Sequence, residues 1–135
     1  MLFLFTWYTL TSMSTKTKHI LIVEDERPLA KALELKLGKV GYETITATNG
    51  GEAVAYLEKQ DIDLIVLDLV MPKFDGFHVL EYVHEKKLSA KVLVLSNLSQ
   101  TEDAKKAKNL GAVDYFIKSN TPIVTLVENI KKVLG

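Results

Sequence analysis

The sequence predicts an α/β fold in which a parallel sheet is covered by helices on both faces. From His19 onward, strand-like apolar runs alternate regularly with helix-like segments. Three of the apolar runs contain no polar residue, which is typical of strands buried on both faces. Regular alternation of this kind indicates right-handed crossover connections between parallel strands. We therefore expect a doubly wound sheet.

Each strand is predicted from its own run of apolar or alternating residues. The predicted strands are residues 19–24, 42–47, 63–68, 91–96 and 113–117. The first, third and fourth are continuously apolar and belong at the centre of the sheet, whereas the second and fifth alternate apolar with polar residues, as edge strands do. Two such edges give the five-stranded, flavodoxin-like order 2-1-3-4-5, whose topological switch point lies between strands one and three.

The helices are predicted from periodicity and from signals at their ends. They cover about residues 27–39, 50–59, 76–87, 100–110 and 121–134. Asn49 with Glu52, and Ser99 with Glu102, have the three-residue spacing of a capping box. Pro122 stands where a first helical residue is expected. We therefore expect helices to begin close to each of these signals.

The last two predicted helices differ in apolar anchorage. The helix over 121–134 has a continuous apolar stripe made of Ile123, Leu126, Val127, Ile130, Val133 and Leu134. The helix over 100–110 offers little beyond Ala104, Ala107 and Leu110. Because apolar contacts decide how firmly a helix is held, we expect the fourth helix to be the loosest element.

Length and composition limit the classes of function. A chain of 135 residues with 47% hydrophobic content suits one domain. Its 17 basic and 17 acidic side chains balance, so composition gives no reason to expect binding to nucleic acid or to an anionic membrane. The absence of cysteine excludes disulfides, thiolate metal sites and cysteine nucleophiles, and it fits a reducing cytoplasm.

The first segment of the chain differs from the rest. Residues 1–12 are apolar and uncharged, but they are too short to span a bilayer and lack the basic start and cleavage site of a secretory signal. Met13 opens a polar lead-in to the first strand. We therefore expect Met13 to be the natural start, residues 1–17 to lie outside the fold as an extension, and residues 18–135 to form the domain.

Acidic residues follow two of the central strands. Glu24 and Asp25 follow the first strand and Asp68 ends the third, so all three meet at the switch point of the predicted sheet. An isolated acidic group here is more often a solvated turn before a helix N-terminus. Together, however, three carboxylates in one small space need a cation or raised pKa values. We expect a divalent metal, with one carboxylate left free to react.

Two further polar residues reach the same edge. Ser96 ends the fourth strand and Lys118 follows the fifth. Each can be explained as an ordinary loop or surface residue. A lysine close to a helix N-terminus gains nothing from the helix dipole, so a carboxylate or phosphate partner explains Lys118 better. Acids, hydroxyl and amine from four strand ends would then form one site.

With these motifs in place, the chain resembles a response-regulator receiver domain of two-component signalling over residues 18–135. The motifs that carry the resemblance are residues 20–26, residues 63–72 with Asp75-Gly76, residues 92–96 and residues 111–118. The resemblance implies a stand-alone, single-domain type, because no residues remain for an effector domain. It implies a signalling protein that assists its own phosphorylation and dephosphorylation rather than an enzyme.

The resemblance also implies a role for each site residue. Asp68 would be the phosphoacceptor, and Glu24, Asp25, Asp68 and the backbone carbonyl of Val70 would hold Mg²⁺. Ser96 and Lys118 would stabilise the phosphoryl group. Ser96 and Tyr115 would form the conformational switch, although Tyr115 also suits an edge-strand aromatic that packs on a helix.

Partners follow from the same resemblance. The phosphoryl donor would be a histidine kinase or a histidine phosphotransfer protein. The output would pass to a downstream protein target through the face formed by the fourth helix, the fifth strand and the fifth helix, with a phosphorylation-dependent homodimer left open. We expect no direct contact with nucleic acid and no membrane association. Apolar Val70 and Leu98, at positions that can guide an attacking water, predict slow self-dephosphorylation.

Three alternative functions are compatible with parts of the sequence. A non-phosphorylated pseudo-receiver would act only as an interaction module, but usually lacks the aspartate or the lysine that is present here. The pair Asp61 and Asp63 suggests a haloacid-dehalogenase-like phosphatase, but that motif should follow a strand rather than precede one. A flavodoxin-like cofactor carrier needs a hydroxyl-rich phosphate loop after the first strand, where this chain has acids.

Overall fold

The computed structural model describes residues 16–71 and 75–135. Within these two ranges, five strands and five α-helices alternate. The strands are β1 (His19–Val23), β2 (Glu43–Ala47), β3 (Leu64–Leu67), β4 (Lys91–Ser96) and β5 (Asp114–Ile117). The helices are α1 (Arg27–Val40), α2 (Gly50–Lys59), α3 (Gly76–Glu85), α4 (Thr101–Asn109) and α5 (Ile123–Leu134), with a 3₁₀ turn at Lys118–Asn120.

The sheet has the predicted order, β2-β1-β3-β4-β5, and all its pairings are parallel. The fold class expected from the apolar pattern is therefore confirmed. Val23 pairs with Leu67 in the register of β1 and β3, so these two neighbouring strands end together. Their carboxyl ends lie at the same edge of the sheet, at the switch point of the fold.

Two apolar layers hold the helices to the sheet. On one face, odd-numbered positions of β1 pack with residues of α2, α3 and α4, including Ala53, Leu80 and Ala107. On the other face, even-numbered positions of β1 pack with α1 and α5, including Leu33 and Ile130. This division follows from the strand geometry, because successive side chains point to opposite faces of the sheet.

Helix α4 is the least anchored by apolar burial. Ala107 is its buried residue, whereas α3 and α5 bury several each. A cation–π contact supplements this small interface, because Lys106 Nζ lies 4.2 Å from the ring centre of Phe77 on α3. The sparse burial agrees with the sequence pattern, and the greater looseness of α4 stays a prediction.

Helix ends agree with the sequence signals only in part. Asn49 caps α2 as predicted, since its side chain accepts a hydrogen bond from the Glu52 N–H at 2.9 Å. The predicted capping box at Ser99 is wrong, because α4 begins after Gln100 and has no side-chain cap. Helix α5 begins one residue after Pro122, which is its N-cap.

Most of the predicted N-terminal extension, and with it the proposed start at Met13, lies outside the described residues. Lys16 and Thr17 have no regular secondary structure. Within residues 16–71 and 75–135, no helix is both long enough and apolar enough to cross a membrane.

Candidate functional site

Backbone pairing brings the acidic residues together. The Asp68 N–H donates to the Val23 carbonyl at 3.0 Å, and the Glu24 N–H donates to the Ala47 carbonyl at 3.0 Å. Both residues therefore continue the hydrogen-bond ladder one step beyond their strands. Because β1 and β3 are neighbours, Glu24 and Asp68 are carried to adjacent points on the carboxyl edge of the sheet.

The three predicted acids form a cluster that suits a cation. Glu24, Asp25 and Asp68 each offer a carboxylate oxygen, and these oxygens lie within 4.8 Å of one another. Glu24 and Asp68 are buried, whereas Asp25 is exposed. Carboxylates with open solvent on one side are the ligand set that Mg²⁺ uses, since this ion keeps several waters. The residues present therefore fit a magnesium ion.

Lys118 is the cation that pairs with two of these acids. Its ammonium nitrogen lies 2.8 Å from Glu24 Oε1 and 2.9 Å from Asp68 Oδ2. The side chains are 9%, 3% and 4% exposed respectively, so the two ion pairs are shielded from water. A third acid, Glu26, approaches the same ammonium at 3.6 Å, but its side chain is 58% exposed.

Burial and pairing shift two pKa values at the site. Burial raises the pKa of Glu24, and the hydrogen bonds from Lys118 and from the Glu26 N–H oppose that rise without cancelling it. Burial also disfavours charged Lys118, but its hydrogen bonds to Glu24 and Asp68 outweigh burial, so the pKa of Lys118 is raised. Lys118 therefore stays protonated and positively charged, whereas ionisation of Glu24 is disfavoured because its carboxylate is buried.

Both oxygens of Asp68 are engaged. Oδ2 accepts from Lys118, and Oδ1 accepts from the Val70 N–H at 3.1 Å. The α3 N-terminus also approaches its main chain closely, because a Cβ added at Gly76 would overlap the Asp68 carbonyl oxygen. The Gly76 N–H donates to the Leu69 carbonyl at 3.0 Å. Only glycine fits this approach, which fixes the peptide of Asp68 against α3.

The two predicted switch residues lie beside this cluster and share a neighbour. Ser96 is fully buried at the end of β4, and its Oγ accepts from the Leu98 N–H at 3.4 Å. Tyr115 is half-buried on β5, and its hydroxyl donates to the Leu98 carbonyl at 2.7 Å. Burial, together with the charges of Asp103 and Asp68, raises the pKa of Tyr115. The peptide groups of Leu98 thus connect the serine to the tyrosine.

The predicted site residues therefore fall into two groups. Glu24, Asp25, Asp68 and Lys118 come together at one point, with the backbone of Val70 beside them. Ser96 and Tyr115 form the adjoining group around Leu98.

Two residues were not assigned a role from the sequence. Glu26 reaches Lys118, and Gly76 packs on the main chain of Asp68. Glu26 could have been suspected from its place in the acidic triplet, and Gly76 from the Asp-Gly pair before α3.

Comparison with known proteins decides the family. The family model described as "Response regulator receiver domain" matches residues 20–131. The chain belongs to this family. The resemblance drawn from the motifs is thereby confirmed, and residues 20–131 form a receiver domain, which is a signalling module rather than a conventional enzyme.

Relatives of known sequence are longer regulators. The chain is 36% identical over 110 residues to a probable transcriptional regulator, ycf27, of Porphyra purpurea, covering 82% of this chain and 45% of that protein. It is 38% identical over 105 residues to the alkaline phosphatase synthesis transcriptional regulatory protein PhoP of Bacillus subtilis, covering 78% of this chain and 44% of PhoP. The chain thus spans somewhat less than half the length of these relatives.

Solved structures show the same fold. The CheY-like response regulator receiver domain protein of Methanospirillum hungatei superposes with a TM-score of 0.83 at 28% identity, covering 88% of this chain and 94% of that one. The signal receiver domain of a signal transduction histidine kinase from Syntrophus aciditrophicus gives 0.78 at 33% identity, covering 87% and 90%. Receiver domains from proteins of different kinds therefore share this architecture.

Proposed function

We propose that this receiver domain accepts a phosphoryl group on Asp68 from a phosphohistidine of a histidine kinase or a histidine phosphotransfer protein. The observation that carries the proposal is the buried Asp68 carboxylate, hydrogen-bonded to Lys118 at 2.9 Å beside two further acids. A carboxylate that is desolvated yet positioned by a fixed cation is suited to nucleophilic attack. The family of the chain supports the same role.

In the proposed step, an Asp68 oxygen attacks phosphorus in line with the bond to the donor histidine. The new P–O bond forms as the P–N bond breaks, and the imidazole leaves with the electron pair and takes up a proton. Because both Asp68 oxygens are engaged, one contact, to Lys118 or to Val70, must yield. Lys118 then pairs with a phosphoryl oxygen, so it contributes charge and position rather than bond making.

Magnesium would be held by Glu24, Asp25 and Asp68, with the backbone carbonyl of Val70 as a further ligand. When bound, the ion supplies positive charge that the incoming phosphoryl group needs among so many acids. Asp25 is the most accessible of the three carboxylates, which suits a direct ligand. Glu24 already binds Lys118 through Oε1, and its Oε2 accepts a hydrogen bond from the Glu26 N–H.

We propose that the output is a switch in the face formed by α4, β5 and α5. Phosphorylation would draw the Ser96 hydroxyl toward the phosphoryl group and away from Leu98, and Tyr115 would respond through the Leu98 carbonyl that it now binds. Moving the switch from mostly inactive to mostly active needs about 5.5 kcal/mol of differential stabilisation. A buried phosphoryl group bonded to Lys118 and Ser96 can supply much of that energy.

We propose that the switched face passes the signal on by binding another protein. A downstream protein target would bind the switched face, and a homodimer formed through the same face is an alternative readout of the same change. The chain carries 17 basic and 17 acidic side chains, so its composition gives no reason to propose direct contact with nucleic acid. We propose that the domain, residues 18–135, works in the cytoplasm, where histidine kinases deliver phosphoryl groups.

The test is Mg²⁺-dependent phosphorylation by acetyl phosphate, followed by intact mass. Wild-type protein should gain the mass of one phosphoryl group, with an acid-stable and base-labile bond, and should gain none when EDTA replaces magnesium. Asp68→Asn should gain none, whereas the matched control Asp61→Asn, an exposed acid at the opposite edge of the sheet, should react as wild type does. Equal labelling of Asp68→Asn would refute the proposal; no labelling of wild type would favour the pseudo-receiver.

A further inference from the structure

We propose that Glu26 determines which phosphoryl donors the site accepts, by disfavouring small donors in proportion to their negative charge. The proposal rests on the proposed function, since it concerns phosphorylation of Asp68. It assigns a specificity role to an acid that belongs to neither the carboxylate cluster nor the switch. Glu26 shapes the approach to the site and takes no part in bond making.

The geometry places the Glu26 carboxylate at the mouth of the site. Its Oε2 lies 3.6 Å from the Lys118 ammonium, which in turn lies 2.9 Å from Asp68 Oδ2. Because both oxygens contact the same ammonium, they are no more than about 6.5 Å apart. The Glu26 side chain is 58% exposed, whereas that of Asp68 is 4% exposed. A donor that reaches Asp68 from solvent therefore passes an exposed carboxylate.

The position of Glu26 is fixed by the acid next to the site. Its N–H donates to Glu24 Oε2 at 2.9 Å, and its carbonyl accepts the Ala30 N–H at 3.0 Å in the first turn of α1. The side chain therefore starts from a backbone held on both sides. Its carboxylate does not belong to the group of oxygens that suits a cation, which is formed by Glu24, Asp25 and Asp68.

The repulsion between the Glu26 carboxylate and a negatively charged donor at Asp68 is large enough to measure as a change in phosphorylation rate. Two unit charges about 6.5 Å apart in a largely aqueous environment change an equilibrium or an encounter by about threefold, so a dianionic donor is disfavoured about tenfold and a monoanionic donor about threefold. Lys118 stays in place when Glu26 is replaced, so its attraction for the donor is the same with and without the Glu26 charge. Salt at 1 M screens charges beyond about 3 Å and should remove most of the difference.

A phosphorylated protein donor would be affected less than a small one. Its phosphohistidine is carried in by contacts over a whole docking surface, so one exposed charge is a small part of the interaction. A free acyl phosphate has no such contacts and depends on the local potential. Glu26 would thereby reduce phosphorylation by small metabolites while leaving transfer from a protein donor nearly unchanged.

The experiment measures second-order phosphorylation rates of wild type, Glu26→Gln and the matched control Glu58→Gln at saturating Mg²⁺. Glu58 is an exposed acid near the end of α2, so its variant has the same net charge as Glu26→Gln. Dianionic acetyl phosphate and monoanionic phosphoramidate are compared at low and high salt. We expect Glu26→Gln to react about tenfold faster with acetyl phosphate and about threefold faster with phosphoramidate at low salt, and within about twofold of wild type with both at high salt.

The outcomes separate this proposal from the proposed function. If wild type is not phosphorylated by either donor, the proposed function fails. If wild type is phosphorylated but Glu26→Gln reacts at the wild-type rate, more slowly, or equally faster with both donors, the specificity role of Glu26 is wrong. Glu26→Asp keeps the charge, and we expect it to react at the wild-type rates. If Glu26→Asp reacts as fast as Glu26→Gln, the shape of the side chain rather than its charge determines the rate, and the proposal is wrong.

Discussion

Replacing Lys118 by methionine tests how much the buried ion pairs of the site contribute to the stability of the fold. Methionine fills a similar volume but removes the charge that lies 2.8 Å from Glu24 and 2.9 Å from Asp68. Two carboxylates that are 3% and 4% exposed then lose their partner. Breaking a buried ion pair by removing one member costs about 3–5 kcal/mol. We expect Lys118→Met to lose about that much free energy of unfolding at pH 8 without magnesium.

The loss should depend on pH, with a sign fixed by Glu24. Burial raises its pKa above the ordinary 4.5 while Lys118 opposes the rise, so the variant should raise it further. A group whose folded pKa is raised contributes stability that is complete below its unfolded pKa and disappears as the pH rises through the folded value. Lys118→Met should therefore be close to wild type near pH 4 and weakest near pH 8. In wild type, the raised pKa of Lys118 keeps its contribution until alkaline pH.

Urea unfolding followed by far-UV circular dichroism at pH 4 and pH 8 measures both effects. Lys36→Met, which removes an exposed charge on α1, is the matched control and should change stability by no more than about 0.5 kcal/mol. Magnesium should restore part of the loss, because a ligand that binds only the folded state stabilises it. A loss below about 1 kcal/mol at pH 8, or the same loss at both pH values, would refute the reasoning.

Three further predictions follow from the same contacts. Gly76→Ala should slow phosphorylation by acetyl phosphate about 100-fold, because the added Cβ displaces the peptide of Asp68. Gly38→Ala, where a Cβ meets nothing within 4 Å, should react as wild type does, and urea unfolding of both variants would show whether a slower rate reflects a loss of stability. Tyr115→Phe should keep phosphorylation but weaken its effect on α4, measured by hydrogen exchange; an unchanged response contradicts the switch. Self-dephosphorylation should be slow because Val70 and Leu98 are apolar, and a half-life of seconds in a ³²P release assay would contradict that.

The fold was predictable because its determinants are local. Continuous apolar runs, such as residues 64–67, distinguish central strands, and alternating runs distinguish edges. The ends of parallel strands meet at one edge, so the amino-acid sequence alone predicts that Glu24 and Asp68 lie together. The sheet has the strand order that this reasoning requires, and carboxylate oxygens of Glu24 and Asp68 lie within 4.8 Å of each other.

Details that depend on long-range geometry could not be predicted in the same way. The sequence places Lys118 at the same edge as the acids, but Lys118 and Glu24 are 94 positions apart, and nothing in their neighbouring residues indicates that the ammonium would also contact Glu26. The start of α4 was predicted one residue early, because the three-residue spacing of Ser99 and Glu102 suggested a capping box, whereas Gln100 is the N-cap and makes no side-chain cap hydrogen bond. The role of Gly76 could not be predicted, because it depends on how closely α3 approaches the main chain of Asp68.

The central claim is that Asp68 itself becomes a mixed anhydride. Borohydride reduces an acyl phosphate to the alcohol, so a phosphorylated aspartate is converted to homoserine and can be located by sequencing of peptides in the mass spectrometer. After treatment with acetyl phosphate and magnesium, we predict homoserine at position 68 of the wild-type protein. Homoserine at Asp25 or another acid, with position 68 unmodified, would contradict the account.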